Sequence, residues 1–119
     1  MNIALIGLGM VAATHVHAVK NAPKLHLSGV LCRDSAKTAD FAARHATRAF
    51  GSVHEIAQDP TIDFVILATP PNARRDIVHL LAAAGKPLLM EKPIERDVQA
   101  ASDLVQICAQ AGVPLAMML

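Results

Sequence analysis

Aromatic residues are nearly absent from this sequence. Its 119 residues include no Trp, no Tyr and only three Phe. Nucleic-acid-binding proteins commonly stack bases on aromatic side chains and attract phosphates with an excess of basic residues. The net charge here is only +1 at neutral pH. We therefore expect no nucleic-acid partner.

Long hydrophobic runs are also missing. No stretch approaches the roughly 20 uninterrupted apolar residues of a membrane span, so we expect no membrane partner. The apolar first segment, MNIALIGLGM, has no basic leader and is interrupted by Gly7 and Gly9. It is better interpreted as a buried strand than as a signal peptide.

Metal-binding and disulfide patterns are lacking as well. Cys32 and Cys108 lie far apart in the sequence and show no metal or redox spacing. His15 and His17 are two residues apart on a predicted helix, so their side chains point to different sides. We expect no metal site, and we expect a reduced, cytoplasmic protein.

Apolar residues are abundant, at 53% of the chain, and they occur in short runs that alternate with helical patterns. Strands are predicted at 3–6, 25–32, 47–50, 64–67, 87–90 and 113–118. Helices are predicted at 11–21, from Asp34 or Ser35 to 44, after a capping box of Ser52 and Glu55, from Asn72 to Gly85, and from Asp97 to Gly112. This order predicts one α/β domain over residues 1–119. We expect a doubly wound parallel sheet of about six strands, a Rossmann fold, with helices on both faces.

Three of the predicted helices carry apolar stripes that indicate their buried faces. The expected buried residues are Ala12, Val16 and Val19 in the first helix, Ile77, Leu80, Leu81 and Ala84 in the fourth, and Ala101, Leu104, Val105 and Cys108 in the last.

The segment GLGMVA, residues 7–12, joins the first strand to the first helix and fits the pattern G-x-G-x-x-A. In a dinucleotide fingerprint, Gly7 would make the tight turn and Gly9 would admit a pyrophosphate without an obstructing Cβ. Ala12 would let the helix pack closely on the strand. The alternative is a glycine-rich turn without a ligand. The motif's position between a strand and a helix favours nucleotide binding.

The second strand ends without a carboxylate. Cys32 and Arg33 stand where an acidic residue would bind the ribose of NAD. An arginine there can pair with a 2′-phosphate, so NADP is favoured over NAD. The alternative is that Arg33 is a solvated loop residue and Asp34 only caps a helix.

Four motifs occur together along the chain: GLGMVA at 7–12, ATPPN at 68–72, AAGKP at 83–87 and EKP at 91–93. In this order and spacing they resemble the N-terminal NAD(P)-binding domain of the glucose–fructose oxidoreductase / inositol dehydrogenase (Gfo/Idh/MocA) family. The resemblance covers essentially the whole chain. It implies an NAD(P)-dependent oxidoreductase acting on a sugar, polyol or related substrate that a following domain would bind.

The resemblance also implies a set of site residues. Lys92 would be catalytic, because it would position or polarise the reacting oxygen beside the nicotinamide. The cofactor-binding residues would be Gly7, Gly9, Met10, Val11, Ala12, Cys32, Arg33, Ala68, Thr69, Pro70, Asn72, Glu91, Lys92 and Pro93.

Two departures from the family pattern stand out. Arg74 replaces a frequent histidine and is expected to add positive charge near the cofactor or substrate entrance. The sequence also stops at Leu119, so we expect the substrate domain to be absent and the isolated chain to bind cofactor weakly without turnover. The apolar last strand predicts self-association. The alternatives are a self-standing nucleotide-binding or sensing module without catalysis, and a degenerate fragment that binds nothing.

Overall fold

The computed structural model describes residues 1–70, 73–92, 95 and 97–118. Its six parallel strands form one sheet in the order β3-β2-β1-β4-β5-β6. The strands are β1 (Asn2–Ile6), β2 (His26–Leu31), β3 (Arg48–Ala49), β4 (Phe64–Leu67), β5 (Leu88–Met90) and β6 (Leu115–Met117). The helices are α1 (Ala12–Lys20), α2 (Ser35–Arg44), α3 (Val53–Gln58), α4 (Arg75–Ala83) and α5 (Val98–Ala111). This is the strand order of a dinucleotide-binding Rossmann fold, and it confirms the predicted class.

Both faces of the sheet are covered, and each face has its own core. Successive side chains of a strand point to opposite faces. Accordingly, Ile3 and Leu5 of β1 pack with α1 and α2, whereas Ala4 and Ile6 pack with α3, α4 and α5. The continuous apolar strands therefore predicted the double layer of helices correctly.

Helix starts follow the capping residues that the sequence indicated. Asp34 accepts hydrogen bonds from two backbone N–H groups of α2, and Asp97 accepts one from Ala100 in α5. Ser52 accepts one from Glu55. The Glu55 carboxylate accepts from the N–H of Gly51, so the predicted capping box forms with a shifted second bond. Such caps satisfy donors that a helix leaves unpaired at its first turn.

Helix α4 differs from its predicted pattern. Its N-cap is Arg74, without a side-chain capping bond, and the proposed cap Asn72 lies outside the described residues. Ala84 is exposed because it lies beyond the last helical residue, so its predicted burial was wrong. Leu81 is buried as predicted, and the buried stripe also includes Val78 and Ala82, which were not predicted. The helix is rotated slightly relative to the face that the larger apolar residues suggested.

Helix α5 buries a narrower stripe than predicted. Leu104 and Cys108 are buried, and Ala101 is half-buried, as expected. Val105 is 47% exposed, so its predicted burial was wrong. Val105 lies one residue after Leu104, and a helix turns by about 100° per residue, which carries it off the sheet-facing side.

Candidate functional site

A cavity of about 940 Å³ opens along the carboxyl edge of the sheet. In a parallel sheet, all strands end at the same edge, and ligands bind there where the strand order reverses. The reversal here lies between β1 and β4. Residues that follow β1, β2, β3, β4 and β5 all line the cavity, so five strand ends converge on one crevice.

Gly7 and Gly9 shape the crevice in different ways. Gly7 has φ +102, and a Cβ on it would lie 2.7 Å from the backbone carbon of Ala68. Only glycine lets β1 end this close to β4. A Cβ on Gly9 would meet nothing within 4 Å. Gly9 therefore borders open space in the crevice.

The rest of the GLGMVA turn divides between surface and core. Val11 lines the crevice, but Met10 is 99% exposed and is not part of the described lining. Ala12 is fully buried under the turn, where α1 packs against the sheet. Ala12 thus acts on the site through helix packing and makes no surface in the crevice.

The end of β2 forms a basic corner of the crevice. Cys32 is half-buried, and its N–H donates to the Thr38 hydroxyl at 3.0 Å. Arg33 and Lys37 are exposed and both line the cavity. One carboxylate oxygen of Asp34 accepts from two backbone N–H groups of α2. The nearest acid is therefore held as a helix cap, and two cations face the cavity at this corner.

The loop after β4 contributes Ala68, Thr69 and Pro70 to the lining. The Thr69 hydroxyl is buried and has no hydrogen-bond partner within the part of the chain that the structure describes. A buried polar atom without a partner is destabilising unless a ligand or water satisfies it. Its place in the crevice therefore fits a polar ligand group.

Glu91 and Lys92 leave the end of β5 and line the same crevice. The Glu91 N–H donates to the Leu67 carbonyl at 3.0 Å, which extends the pairing of β5 with β4. The Glu91 carboxylate oxygen lies 2.9 Å from Nε2 of the buried His15 on α1. Lys92 is exposed to the cavity. Pro93, the third residue of the motif, lies outside the described residues, as does Asn72.

Arg74, which was expected to add positive charge near the cofactor or substrate entrance, lines the crevice and is buried. Its side chain is 1% exposed, and Nε and Nη2 both donate to the Thr69 carbonyl, at 3.1 and 2.9 Å. Burial lowers the pKa of the Arg74 guanidinium, and the charges of Glu95 and Glu91 oppose that shift. Arg74 thus holds the β4–α4 loop through the Thr69 carbonyl.

Several lining residues were not among the sequence predictions. They are Ile6, Leu8, Leu31, Lys37, Gly51, Ser52, Val53, Ala73, Asp76 and Ile77. Gly51 to Val53 follow β3, so the strand-end rule could have identified them. The burial of His15 and Arg74 could also have been predicted from their positions in the helical patterns. His15 falls in the α1 stripe of Ala12, Val16 and Val19, and Arg74 precedes Val78 by one helical turn.

None of the described helices is long and apolar enough to cross a membrane. The described His, Cys, Asp and Glu residues form no group of three or more that could hold a metal ion.

Known proteins resemble the chain in both sequence and structure. A D-apiose dehydrogenase from Paraburkholderia graminis is 31% identical over 119 residues, which cover 94% of this chain and 30% of that protein. A scyllo-inositol 2-dehydrogenase (NADP(+)), IolU, from Bacillus subtilis is 25% identical, with coverage of 97% and 35%. The crystal structure of GenD2 from gentamicin A biosynthesis, in complex with NAD, superposes with a TM-score of 0.89 at 30% identity. It covers 98% of this chain and 34% of that one.

The chain thus spans about a third of the length of these relatives. The sequence profile of an oxidoreductase family with an NAD-binding Rossmann fold matches residues 1–119 in full. The likeness therefore concerns one domain, and in the relatives that domain is followed or preceded by other sequence. On the strength of the full-length match, this chain belongs to the Gfo/Idh/MocA oxidoreductase family and comprises its NAD-binding Rossmann domain.

Proposed function

We propose that this chain is the cofactor domain of an enzyme that transfers hydride between NADP and a hydroxyl or carbonyl carbon of a carbohydrate-like substrate. The observation that carries the proposal is the convergence of strand-end residues from five strands on one crevice at the switch point of the sheet. When bound, the nicotinamide ring of the cofactor would accept hydride in its oxidised form or donate it in its reduced form. The protein supplies binding, orientation and electrostatics.

The GLGMVA turn would hold the pyrophosphate. Gly9 leaves room for a phosphate against the backbone, and Val11 stands at the start of α1. The first N–H groups of a helix and its partial positive charge favour an anion there. Met10 is exposed beside this turn and could cover a bound phosphate, whereas Ala12 supports the turn from below.

The basic corner would hold the adenosine ribose and select NADP. Cys32 follows β2 with a small side chain, and Arg33 and Lys37 present two positive charges to the cavity. A 2′-phosphate would be attracted to both cations, and Arg33 can bind it in a bidentate manner. Asp34, as the cap of α2, is engaged away from a ribose hydroxyl.

The opposite end of the crevice would hold the nicotinamide. Thr69 offers a hydroxyl with no partner among the described residues, and Ala68 and Pro70 line the adjoining wall. Lys92 would orient the oxygen of the substrate as hydride moves to or from its carbon, while Glu91 would hold the backbone before the lysine. D-apiose and scyllo-inositol, named in the relatives, are polyhydroxylated, which supports a substrate of that class.

The test is a calorimetric titration of the 119-residue chain with NADPH and with NADH. We expect Arg33→Ala and Lys37→Ala each to weaken NADPH binding about tenfold, since a charged hydrogen bond contributes about 1.5–3 kcal/mol. NADH binding should stay within about twofold. Lys24→Ala, an exposed lysine before β2, is the matched control and should change neither. Equal binding of both cofactors, unchanged in both variants, would rule out NADP selection by this corner.

Two expectations about the environment of the chain remain proposals. The free thiols of Cys32 and Cys108 are consistent with a reducing, cytoplasmic location.

The strand β6 forms one edge of the described sheet, and Val98 and Val105 of the neighbouring α5 are exposed. An apolar surface beside a sheet edge favours pairing with a second copy. Sedimentation velocity showing a monomer at all concentrations would reject self-association.

A further inference from the structure

A buried polar contact joins the first helix to the loop that carries Lys92. His15 Nε2 lies 2.9 Å from Glu91 Oε1, and the two side chains are 6% and 22% exposed. His15 belongs to the sheet-facing stripe of α1, so its ring is directed to the sheet by helix packing. The ring nitrogen and the carboxylate oxygen are within hydrogen-bond distance, but their orientation does not form a hydrogen bond. Such contacts often tighten only when a site is occupied.

A second buried cation, Arg74, lies at the N-cap of α4 and binds the loop after β4. The Arg74 guanidinium donates two hydrogen bonds to the Thr69 carbonyl, and the negative charges of Glu91 and Glu95 favour its charged form. Burying an arginine is unfavourable unless acceptors and opposite charge compensate it. The compensation here comes from the two loops that bracket the nicotinamide end of the crevice.

The position of Glu91 makes it the link between His15 and Lys92. Its backbone N–H is fixed by the Leu67 carbonyl, and its side chain lies against His15. Lys92 is the next residue and is exposed to the crevice. A lysine side chain has four rotatable bonds, so its direction depends on how firmly the backbone before it is held. Glu91 is the residue that provides this restraint.

We propose that His15 and Arg74 are positioning residues: His15 holds Glu91, Arg74 holds the loop after β4, and together they keep Lys92 directed into the nicotinamide end of the crevice. The proposal rests on the proposed function, because it presumes that a nicotinamide occupies that end. His15 acts from α1 on the loop after β5, and Arg74, at the N-cap of α4, acts on the loop after β4 through the Thr69 carbonyl. Neither side chain needs to touch the cofactor for this role.

The experiment follows the Lys92 amine directly. Lysines of the 119-residue chain are ¹³C-dimethylated, and the Lys92 NMR signal is assigned with Lys92→Arg. Two ligands are compared: NADPH, and 2′-phospho-ADP-ribose, which lacks the nicotinamide. In the unsubstituted chain, saturating NADPH should shift the Lys92 signal, and 2′-phospho-ADP-ribose should shift it by less than half as much.

The variants are His15→Gln and Arg74→Met, each with a neighbouring control of the same residue type. His17→Gln alters an exposed histidine on α1, and Arg75→Met alters an exposed arginine paired with Asp103. We expect the NADPH-induced shift at Lys92 to fall at least twofold in His15→Gln and Arg74→Met and to stay unchanged in the controls. Affinity for 2′-phospho-ADP-ribose should remain within twofold throughout, and Arg74→Lys should recover part of the shift.

The outcomes separate the two levels of the proposal. If both ligands bind and the Lys92 shift is the same in all variants, the positioning role is overturned and the proposed function stands. If neither ligand binds the unsubstituted chain, the proposed function is overturned, and the positioning role with it. Should Arg74→Met not fold, His15→Gln and Arg74→Lys decide: an undiminished shift in both rejects the proposal.

Discussion

The parallel strands of the sheet have an amino edge, where they all begin, and a carboxyl edge, where they all end. The loops at these two edges interact in opposite ways. At the amino edge, the segments that precede the strands bind one another. The amino terminus donates to the Lys24 carbonyl at 2.6 Å, and Asn2 exchanges backbone and side-chain bonds with Asp63 and Thr61. At the carboxyl edge, the corresponding segments surround a cavity of about 940 Å³. One edge is closed by hydrogen bonds, and the other is held open.

The buried cations of the two edges show the same difference. Lys86, before β5, is 7% exposed and donates to the Asp59 and Ile62 carbonyls at 2.6 and 3.0 Å. Arg74, after β4, donates to the Thr69 carbonyl in a loop that lines the crevice. The negative charge of Glu91, beside Lys92, favours the charged form of Arg74. A buried charge can thus join structural loops at one edge and site-forming loops at the other. Substitutions should therefore affect stability at the amino edge and binding at the carboxyl edge, apart from residues that pack between strands.

Gly7 should be the strongest exception, because it lies at the carboxyl edge but packs against β4. Gly7→Ala forces an L-residue into φ +102 and places its Cβ 2.7 Å from the Ala68 carbonyl carbon. Strain and overpacking each contribute about 1–3 kcal/mol, so we expect a loss of about 4 kcal/mol of unfolding free energy in urea titrations. Gly85→Ala is the control: φ is +76 but nothing lies within 4 Å, and a loss of about 1 kcal/mol is expected. Equal losses in the two variants would show that the close approach to β4 is unimportant.

Lys86→Met tests the closed amino edge. The substitution leaves the Asp59 and Ile62 carbonyls without their buried donor, which should lower the unfolding free energy by about 3 kcal/mol. NADPH affinity, measured at a temperature where the variant is folded, should stay within about twofold. The control, Lys24→Met, changes an exposed lysine before β2 and should alter stability by less than about 0.5 kcal/mol. A stability loss as small as that of the control would contradict a structural role for Lys86.

The sequence predicted the architecture well because its information is local and periodic. Apolar runs such as Phe64–Leu67 and caps such as Asp34 and Asp97 depend on neighbours within a few residues. Alternation of such elements leaves few topologies once crossovers are right-handed. The crevice was also predictable, since parallel strands place their ends at one edge and the motifs GLGMVA and EKP follow two of them.

The polar groups that organise the site were less accessible to prediction. His15 and Arg74 lie on buried helix stripes, but patterns of apolar residues give no weight to a buried charge. Whether such a group is buried depends on partners far away in sequence: His15 meets Glu91, and Lys86 meets Asp59. These pairings arise only when the sheet brings separate loops together. For that reason the apolar patterns did not reveal that Arg74 is buried and bound to the Thr69 carbonyl.

Gly9→Ala tests the open edge with a minimal change. A Cβ there meets no protein atom within 4 Å, so the unfolding free energy should change by at most about 1 kcal/mol. The added methyl would occupy space proposed for the pyrophosphate, and NADPH affinity should fall about tenfold, or about 1.4 kcal/mol. Calorimetry beside urea unfolding measures both quantities. Unchanged affinity would show that the phosphates lie elsewhere.

Thr69→Val should produce the smallest effects, and it should raise the stability of the protein while lowering its affinity for NADPH. The Thr69 hydroxyl is buried without a partner in the described structure, so a methyl in its place should raise the unfolding free energy by about 1 kcal/mol. NADPH affinity should fall about fivefold if that hydroxyl binds the cofactor. Thr38→Val is the matched control, because the Thr38 hydroxyl is bonded to Cys32 and Asp34, and its loss should lower stability by about 1–2 kcal/mol. If both valine variants are destabilised equally and bind NADPH normally, the Thr69 hydroxyl stabilises the fold and does not bind the cofactor.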